Sequence, residues 1–374
     1  MLDFLKFSII DNGLIRYLEN HTLLDWVQTE DKINLFDIEV IKTKTIKEYK
    51  GIYFCIYSNR IDVLFKPHYC FNNNLHNSNN FKVIDCINTV LGLQNALNID
   101  LNLLKVVNIE FGLNVVSPID VKKLIAYIIY HEKNEFKTDV GLAFSKKSYK
   151  ANTNGSINSY KIIKAYAKGL QFSQYTNKNT FRFEIKSKQS KYINKLGIYS
   201  ANDLLHFDCY ANMTNEIIKE FDKVLLLDYE TDFSSLKQSE QSKIMNYLNT
   251  ITWFKISQDS YRNRFQNEKT KYYNLINKVE NNLKNQLDKI IFKKLEFLKS
   301  GAISTHSRNI KSSAISNIYK GGICTKKENS VIALLLDKKE ELKNSYQEQK
   351  KAIAEHNRLA VIRYNQRMKT IINY

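Results

Sequence analysis

Residues that interrupt regular structure are scarce in this sequence: 2 prolines and 11 glycines occur among 374 residues. This scarcity argues against long flexible linkers. Because 43% of the residues are hydrophobic and 12% are aromatic, we expect most of the chain to fold around a sizeable core. The 5 cysteines form no Cys-x-x-Cys pair. The sequence therefore indicates neither a zinc ribbon nor a disulfide framework and predicts ordinary thiols of a reducing cytoplasm.

Long hydrophobic runs are also missing. No stretch of roughly 18 consecutive apolar residues occurs, and the segment Met1 to Lys6 is not a basic region followed by a clean apolar one. The sequence therefore predicts neither secretion nor a membrane span.

Acidic residues are outnumbered by basic ones. The chain has 56 Lys and Arg against 38 Asp and Glu, a formal net charge of +18. A charge of this size favours a polyanionic partner, either nucleic acid or an anionic membrane surface. The chain is also rich in Lys, Asn, Ile and Tyr, as expected from an AT-rich genome, so charge alone leaves nucleic-acid binding and a compositional bias both open.

Hydrophobic periodicity divides the chain into a mixed α/β part, residues 1–195, and an α-helical part, residues 196–374. Strands and helices alternate in the first part and more strands follow. This order predicts an α+β fold whose sheet carries helices on one face and leaves the other face free for a ligand. The elements predicted in this part are a hairpin of strands 51–57 and 61–65, an Asn-rich loop at 71–80, a helix over 82–97, a strand over 106–116, a helix from Pro118 to about His131, strands over 140–144, 160–168 and 180–188, and a polar loop over 147–158.

The second part is helical almost without interruption from about residue 237. Its apolar residues from Ile276 to Ile290 recur at spacings of three and four, which predicts one stripe of a long amphipathic helix. The stripe suits a coiled-coil seam or, as we favour, packing within the molecule. A further helical stretch over 330–373 is basic near its end and predicts non-specific contacts with a DNA backbone.

Three predicted strands, 106–116, 160–168 and 180–188, share one chemically active face. Successive residues of a strand point to opposite sides, so the apolar residues face a core and their polar neighbours face away. The polar face then presents Glu110, Asn114, Tyr160, Lys164, Tyr166, Lys168, Arg182, Glu184, Lys186 and Lys188.

These residue types suit an attack on phosphate. A tyrosine phenol, with a pKa of about 10, is a poor nucleophile. Nearby lysines and a bound divalent cation favour the phenolate and stabilise charge on the phosphate. Carboxylates such as Glu110 and Glu184 are natural ligands for Mg²⁺ or Mn²⁺, and a histidine, here His76 of the Asn-rich loop, can complete the set. The alternative is an ordinary solvated face of half-exposed strands.

A series of short motifs resembles the gene II/X type replication initiators of filamentous phages and related plasmid replication proteins. The resemblance covers about residues 50–210, a little over two fifths of the chain, and rests on the order and spacing of the motifs. The motifs are Leu75-His76-Asn77, the strand Asn108 to Asn114 followed by Ser117-Pro118, Ala165-Tyr166-Ala167-Lys168-Gly169, the strand Thr180 to Lys186, and Leu196-Gly197-Ile198 followed by Asp203-Leu204-Leu205.

The resemblance implies a role for each matching position. Tyr166 would be the nucleophile and Lys168 its electrostatic partner, with Tyr160 and Lys164 on the same face as further catalytic candidates. Glu110 and Glu184 would bind Mg²⁺ or Mn²⁺, and His76 is a further candidate ligand. The residues expected to contact DNA are Asn114, Arg182, Lys186 and Lys188.

The resemblance also implies an activity. Such a protein nicks origin DNA, single-stranded or supercoiled, through a covalent 5′-phosphotyrosine intermediate, and rejoins it during rolling-circle replication. Its core would be a nickase fold of the RRM or ferredoxin-like type. Host helicase and polymerase are the further partners expected, in the cytoplasm of a bacterial host.

Some positions depart from the family pattern and leave alternatives open. Position 167 is Ala where related proteins often carry Asp, and no His-hydrophobic-His motif occurs. Tyr160, six residues before Tyr166, keeps a different nucleophile or a two-tyrosine scheme possible, and Tyr149 is a weaker rival. A non-catalytic nucleic-acid-binding protein and a helical scaffold are the competing functions. Glu110 and Glu184 favour the enzyme, because carboxylates repel phosphate unless a cation bridges them.

Overall fold

The computed structural model describes residues 1–34, 39–261 and 263–300 and has an α+β architecture. Its strands are β1 (Leu2–Ile9), β2 (Asp25–Asn34), β3 (Glu39–Tyr49), β4 (Ile52–Tyr57), β5 (Arg60–Phe65), β6 (Lys105–Val116), β7 (Ile128–His131), β8 (Asn134–Glu135), β9 (Lys137–Thr138), β10 (Ser145–Ala151), β11 (Ile157–Tyr166), β12 (Thr180–Ser187) and β13 (Val224–Leu226).

Helices occur along the whole described chain and dominate after residue 200. They are α1 (Asn12–Glu19), α2 (Pro67–Phe71), α3 (Val83–Leu97), α4 (Val121–Tyr127), α5 (Lys168–Gln171), α6 (Ser190–Lys195), α7 (Phe207–Asp222), α8 (Gln238–Leu248), α9 (Thr250–Ser257), α10 (Arg264–Ile276) and α11 (Leu283–Lys299), with short 3-10 turns at Leu101–Leu103 and Ala201–Leu205.

A 10-stranded sheet in the order β2-β3-β4-β5-β1-β6-β12-β11-β10-β9 forms the centre of the fold, and β13, β7 and β8 form a second, smaller sheet. The neighbouring strands of the large sheet are antiparallel. The predicted α+β fold with an antiparallel-rich sheet is thereby confirmed.

The main hydrophobic core lies on one face of this sheet. Alternate residues of the central strands, such as Phe111 and Phe183, are fully buried there. They pack with apolar side chains of α3, α7 and α11, including Met213 and Leu287. Because alternate residues of a strand share a face, the remaining residues of the same strands lie on the opposite face, where the candidate site forms.

Several predicted elements occur within one residue of their predicted bounds. The hairpin is β4 and β5, the helix over 82–97 is α3, and the strand over 106–116 is β6. The helix predicted from Pro118 to His131 is wrong at its end. Helix α4 ends at Tyr127, because the next residues pair with β13 and form β7, a long-range contact that local periodicity does not reveal.

The region around β10 also differs from the prediction. Residues 140–144 form turns, and Val140 is fully exposed. The strand is instead β10, most of which falls in the stretch predicted as a polar loop, and it exists because it pairs with β11. Strand β11 ends at Tyr166, so Lys168 lies at the start of α5 and not on a strand.

The predicted helical character of the later part is confirmed up to residue 300, with β13 as a strand that the sequence did not indicate. The stripe from Ile276 to Ile290 is not one helix, since α10 ends at Ile276 and α11 begins at Leu283, capped by Asn282. Leu287 and its neighbours pack into the main core, which is the intramolecular alternative. The predicted helix over 330–373 lies outside the described residues.

The main core joins side chains from both sides of residue 195, for example Phe183 and Leu287. A second apolar cluster lies among α8, α9 and α10 around Trp253. The domain division after residue 195 stays a prediction.

Within residues 1–34, 39–261 and 263–300, no helix has the length and apolarity required to cross a membrane.

Candidate active site

Strands β6, β12 and β11 are neighbours and bring the predicted polar residues together. The register opposes Glu110 to Lys186, Glu184 to Lys164 and Arg182 to Tyr166. Directly opposed residues of antiparallel strands have side chains on the same face. Four of these side chains border a cavity of about 270 Å³: Glu110, Lys164, Tyr166 and Glu184.

Carboxylates form the centre of this cavity. Asp3, Glu110 and Glu184 each offer an oxygen, and these oxygens lie within 4.8 Å of one another. Glu110 and Glu184 converge as strand alternation predicted, and both are buried.

Asp3 was not among the predicted site residues. Regular alternation along β1 would place Asp3 beside the core residue Leu5. The pairing of β1 with β6 has a register shift between Leu2 and Phe4, and such an irregularity reorients a side chain locally. An acid within an apolar strand was the only signal of Asp3 in the sequence.

Basic side chains balance the charge of the carboxylates. Lys164 Nζ lies 2.7 Å from Glu110 Oε2 and 2.8 Å from Glu184 Oε1. Arg182 Nε lies 2.8 Å from Glu184 Oε2, and its Nη2 lies 3.2 Å from Asp3 Oδ2. Lys186 pairs with the other oxygen of Glu110. Burying this many charges is tolerable only because each has an opposite partner.

The two glutamates differ in their pKa. Burial raises the pKa of Glu110, and the charge of Glu184 raises it further. Burial acts in the same direction on Glu184, but the ammonium of Lys164 and the guanidinium of Arg182 hold the pKa of Glu184 well below its usual range. Glu184 therefore carries the more persistent negative charge.

Tyr166 lies against this charged group. Its hydroxyl donates a hydrogen bond of 3.1 Å to Glu184 Oε2. Burial, and then the charge of Glu184, raise the pKa of Tyr166 well above its ordinary value of 10.0. The phenol is therefore neutral in this arrangement, and its ionisation needs a proton acceptor or added positive charge.

Lys168 remains next to Tyr166 although it lies on α5. Its Nζ is 5.5 Å from the centroid of the Tyr166 ring and donates a hydrogen bond of 3.0 Å to Gln171 Oε1. Burial, and then the positive charge of Arg182, lower the pKa of Lys168 to about 7. Near neutral pH this side chain is present in both protonation states.

The donor set fits a divalent cation of the hard type. Mg²⁺ and Mn²⁺ prefer carboxylate oxygens, and the oxygens of Asp3, Glu110 and Glu184 are close enough to share one ion. The Lys164 ammonium already contacts two of these carboxylates. A metal ion and Lys164 therefore compete for the same oxygens.

His76, predicted as a metal ligand, is not brought to the carboxylates. His76 stacks on Tyr175 with ring centroids 4.1 Å apart, and its Nδ1 accepts from the backbone of Ser78. Burial, and then the charge of Lys168, lower the pKa of His76. The third possible metal ligand beside Glu110 and Glu184 is therefore Asp3, where His76 was expected.

The face predicted for Tyr160 is wrong. Its ring packs edge-on against Tyr192 of α6, 5.3 Å between centroids, and its contacts are with the main core. The next residue, Lys161, also reaches the core side and pairs with Glu220 of α7. Regular pairing of β11 with β12 begins only at Ile162, so alternation fails before that point.

The predicted DNA-contacting residues fall into a buried and an accessible pair. Arg182 and Asn114 are buried, and Arg182 donates a hydrogen bond of 2.9 Å to Asn114 Oδ1. The Asn114 amide also donates hydrogen bonds to the backbone carbonyls of Asn77 and Ser78. Lys186 is partly exposed and Lys188 is exposed. Access to DNA therefore favours the two lysines, and the roles of all four stay predictions.

Comparison with known proteins adds little. No family model matches the sequence, and no curated protein matches it. A solved structure similar to this chain is that of a rolling circle replication initiator protein from Geobacillus stearothermophilus. The similarity has 11% sequence identity and a TM-score of 0.34 and covers 67% of this chain and 96% of that chain. A similarity this low supports no argument about fold or function.

Proposed function

We propose that this protein nicks one strand of origin DNA with Tyr166 and thereby initiates rolling-circle replication of a phage or plasmid. The observation that carries the proposal is the contact of a tyrosine hydroxyl with a buried carboxylate, within a group of carboxylates and lysines around one cavity. The resemblance of the sequence motifs to gene II/X type initiators supports the same activity. These residues fall within 1–195, the region we propose as the catalytic domain, and host helicase and polymerase are its proposed further partners.

The proposed reaction exchanges one phosphate ester for another. The Tyr166 oxygen attacks the phosphorus while the bond from phosphorus to O3′ breaks. The phenol proton passes to the neutral amine of Lys168, whose pKa is lowered to about 7 and whose Nζ lies 5.5 Å from the Tyr166 ring centroid. The departing O3′ takes a proton from water and becomes a 3′-hydroxyl. The resulting 5′-phosphotyrosine keeps the energy of the phosphodiester, so that a 3′-hydroxyl can later attack it and rejoin the strand.

Positive charge near the phosphate is the other requirement. Lys168 beside the Tyr166 ring and Lys164 between the carboxylates oppose the charge that grows on the phosphate oxygens. Bound through Asp3, Glu110 and Glu184, a divalent cation would add Lewis-acid stabilisation of the same oxygens. Such a cation would also remove the repulsion between these carboxylates and the DNA phosphates.

A nicking assay tests the proposal. The protein is incubated with Mn²⁺ and with supercoiled DNA that carries the origin of its phage or plasmid. It should yield open circles and a covalent protein–DNA adduct. We expect Tyr166→Phe to lose both products and chelation of the cation to suppress both. Tyr160→Phe is the matched control and should retain both, because Tyr160 packs on the core side of the sheet.

Other outcomes assign the chemistry differently. An adduct that persists in Tyr166→Phe and disappears in Tyr160→Phe would move the nucleophile to Tyr160. Binding of DNA without any adduct, over a range of Mn²⁺ and Mg²⁺ concentrations, would contradict the enzymatic proposal.

A non-catalytic nucleic-acid-binding protein is the second candidate function. One observation favours it: Lys164, Lys186 and Arg182 already neutralise the carboxylates of the site, so that the group is stable without a metal ion. Under this alternative the protein binds DNA with the same affinity whether or not a divalent cation is present, and it makes no cut.

A further inference from the structure

The polar face of the large sheet continues beyond the carboxylates on the side of β1 and β4. Phe4 of β1 lies opposite Glu110 and borders the cavity. Farther out, Lys6 lies opposite Leu64, which lies opposite Tyr53 of β4. Tyr53 is 42% exposed. Aromatic and basic side chains thus lead from the cavity toward the edge of the sheet.

The same face continues on the side of β10 and β9. Lys164 lies opposite Lys147, which lies opposite Lys137, so lysines form a cross-strand row next to Glu184. Tyr149 of β10 lies opposite Ile162 of β11, and Lys137 Nζ lies 5.5 Å from the Tyr149 ring centroid. An aromatic ring beside a lysine therefore lies farther out on this side of the cavity.

This combination has a specific binding chemistry. Aromatic rings stack on unpaired bases of any sequence, and lysines follow the phosphates of the same strand. A duplex does not offer base faces to such rings, because its bases stack on one another. Six inter-strand spacings separate β4 from β10 in the sheet order, and at about 4.8 Å each this is roughly 29 Å, room for several nucleotides.

We propose that this face holds unpaired nucleotides on both sides of the scissile phosphate. Bases stack on Phe4 and Tyr53 on one side and on Tyr149 on the other, while phosphates lie near Lys6, Lys147 and Lys137. The DNA strand crosses the β-strands, with Tyr166 beneath its middle. The inference rests on the proposed nicking function and assigns subsites to its substrate.

Binding of fluorescent oligonucleotides to the full chain tests the subsites. The measurements use the Tyr166→Phe protein, so that cleavage does not intervene, and compare single-stranded poly-dT with a duplex of the same length. We expect tighter binding of the single strand and a loss of about tenfold or more for Tyr53→Ala and for Tyr149→Ala. Tyr261→Ala is the matched control, because Tyr261 is a 74% exposed tyrosine outside the sheet, and it should bind like the parent.

Salt dependence separates the lysines from the tyrosines. Lys147→Ala should reduce the slope of log affinity against log salt by about 0.7, the value for one phosphate contact on a single strand. The tyrosine variants should weaken binding and leave that slope unchanged. Thermal melting of each variant shows whether the fold is intact.

The outcomes keep this inference apart from the nicking proposal. Parental affinity in both Tyr53→Ala and Tyr149→Ala, or tighter binding of the duplex than of the single strand, would overturn the subsites and leave the nicking assay untouched. Absence of the covalent adduct, together with the expected losses in binding, would refute the nicking proposal and retain the strand-binding face.

Discussion

Gly112 shows how closely the site depends on single residues. It lies on β6 directly opposite Glu184 of β12. A Cβ at Gly112 would lie 2.2 Å from the carbonyl oxygen of Phe183 and 2.8 Å from the Cα of Glu184. Because both are backbone atoms, they can give way only if β12 itself moves. Any side chain at position 112 therefore shifts the carboxylate that accepts the hydrogen bond of Tyr166.

Alanine at the two glycines gives a matched pair of tests. Gly112→Ala should destabilise the protein by roughly 1–3 kcal/mol, as overpacking does, and should abolish nicking. Gly92→Ala adds a methyl group on helix α3, where a Cβ meets no atom within 4 Å, and should stabilise the protein by about 0.5–1 kcal/mol. Urea unfolding measures both changes. Parental stability and nicking in Gly112→Ala would show that β6 and β12 are not in this close contact.

At the scale of single elements, α4 is a short helix held at both ends. The Asp120 side chain accepts hydrogen bonds from the backbone of Lys122 and Lys123, at 2.8 and 3.3 Å. At the other end, Ile128 leaves the helix and begins β7. Short helices have little intrinsic stability. Helix α4 is therefore stabilised by its cap and by the packing of Leu124 in the main core.

The cap of α4 can be tested by substitution. Asp120→Ala should lower the free energy of unfolding by about 1 kcal/mol, whereas Asp120→Asn should nearly retain it, because Asn caps helices as well as Asp does. Chemical denaturation measures both variants. Equal losses for Ala and Asn would show that charge, and not the capping hydrogen bond, stabilises the start of α4.

At the scale of the whole molecule, a buried ion-pair network ties the two sheets to the helical layer. Glu220 of α7 has no exposed surface. It lies 2.6 Å from Lys161 of β11, 2.7 Å from His131 of β7 and 2.8 Å from Lys223. Burial raises the pKa of Glu220, but the close contacts of its carboxylate with His131 and Lys161 outweigh burial and hold the pKa well below 4.5.

This network predicts an acid-side loss of stability. A carboxyl whose pKa is lowered on folding contributes stability above its unfolded pKa, here 4.5, and that contribution is lost as the pH falls below it. Glu220→Gln should cost about 3 kcal/mol at pH 7, and the difference from the parent should shrink as the pH drops below 4.5. Thermal melts from pH 7 to pH 3 measure this. Glu280→Gln is an exposed control, and a difference that stays constant with pH in Glu220→Gln would contradict the assignment.

The sequence by itself determined the α+β class and the convergence of Glu110, Glu184, Lys164 and Tyr166. Regular antiparallel strands alternate with a period of two, so the face of each side chain follows from local order alone. From Ile109 to the end of β6, throughout β12 and in the last part of β11, nothing interrupts that alternation. The catalytic and DNA-binding roles of these residues stay predictions.

Only the tertiary structure decided the positions of Asp3, Tyr160 and Lys168 and the existence of β7 and β10. Asp3 faces the site because β1 shifts register against β6, and Tyr160 faces the core because regular pairing with β12 starts after it. Strands β7 and β10 form because β13 and β11 supply their backbone partners. Each of these outcomes depends on a partner distant in sequence, and local periodicity carries no information about such partners.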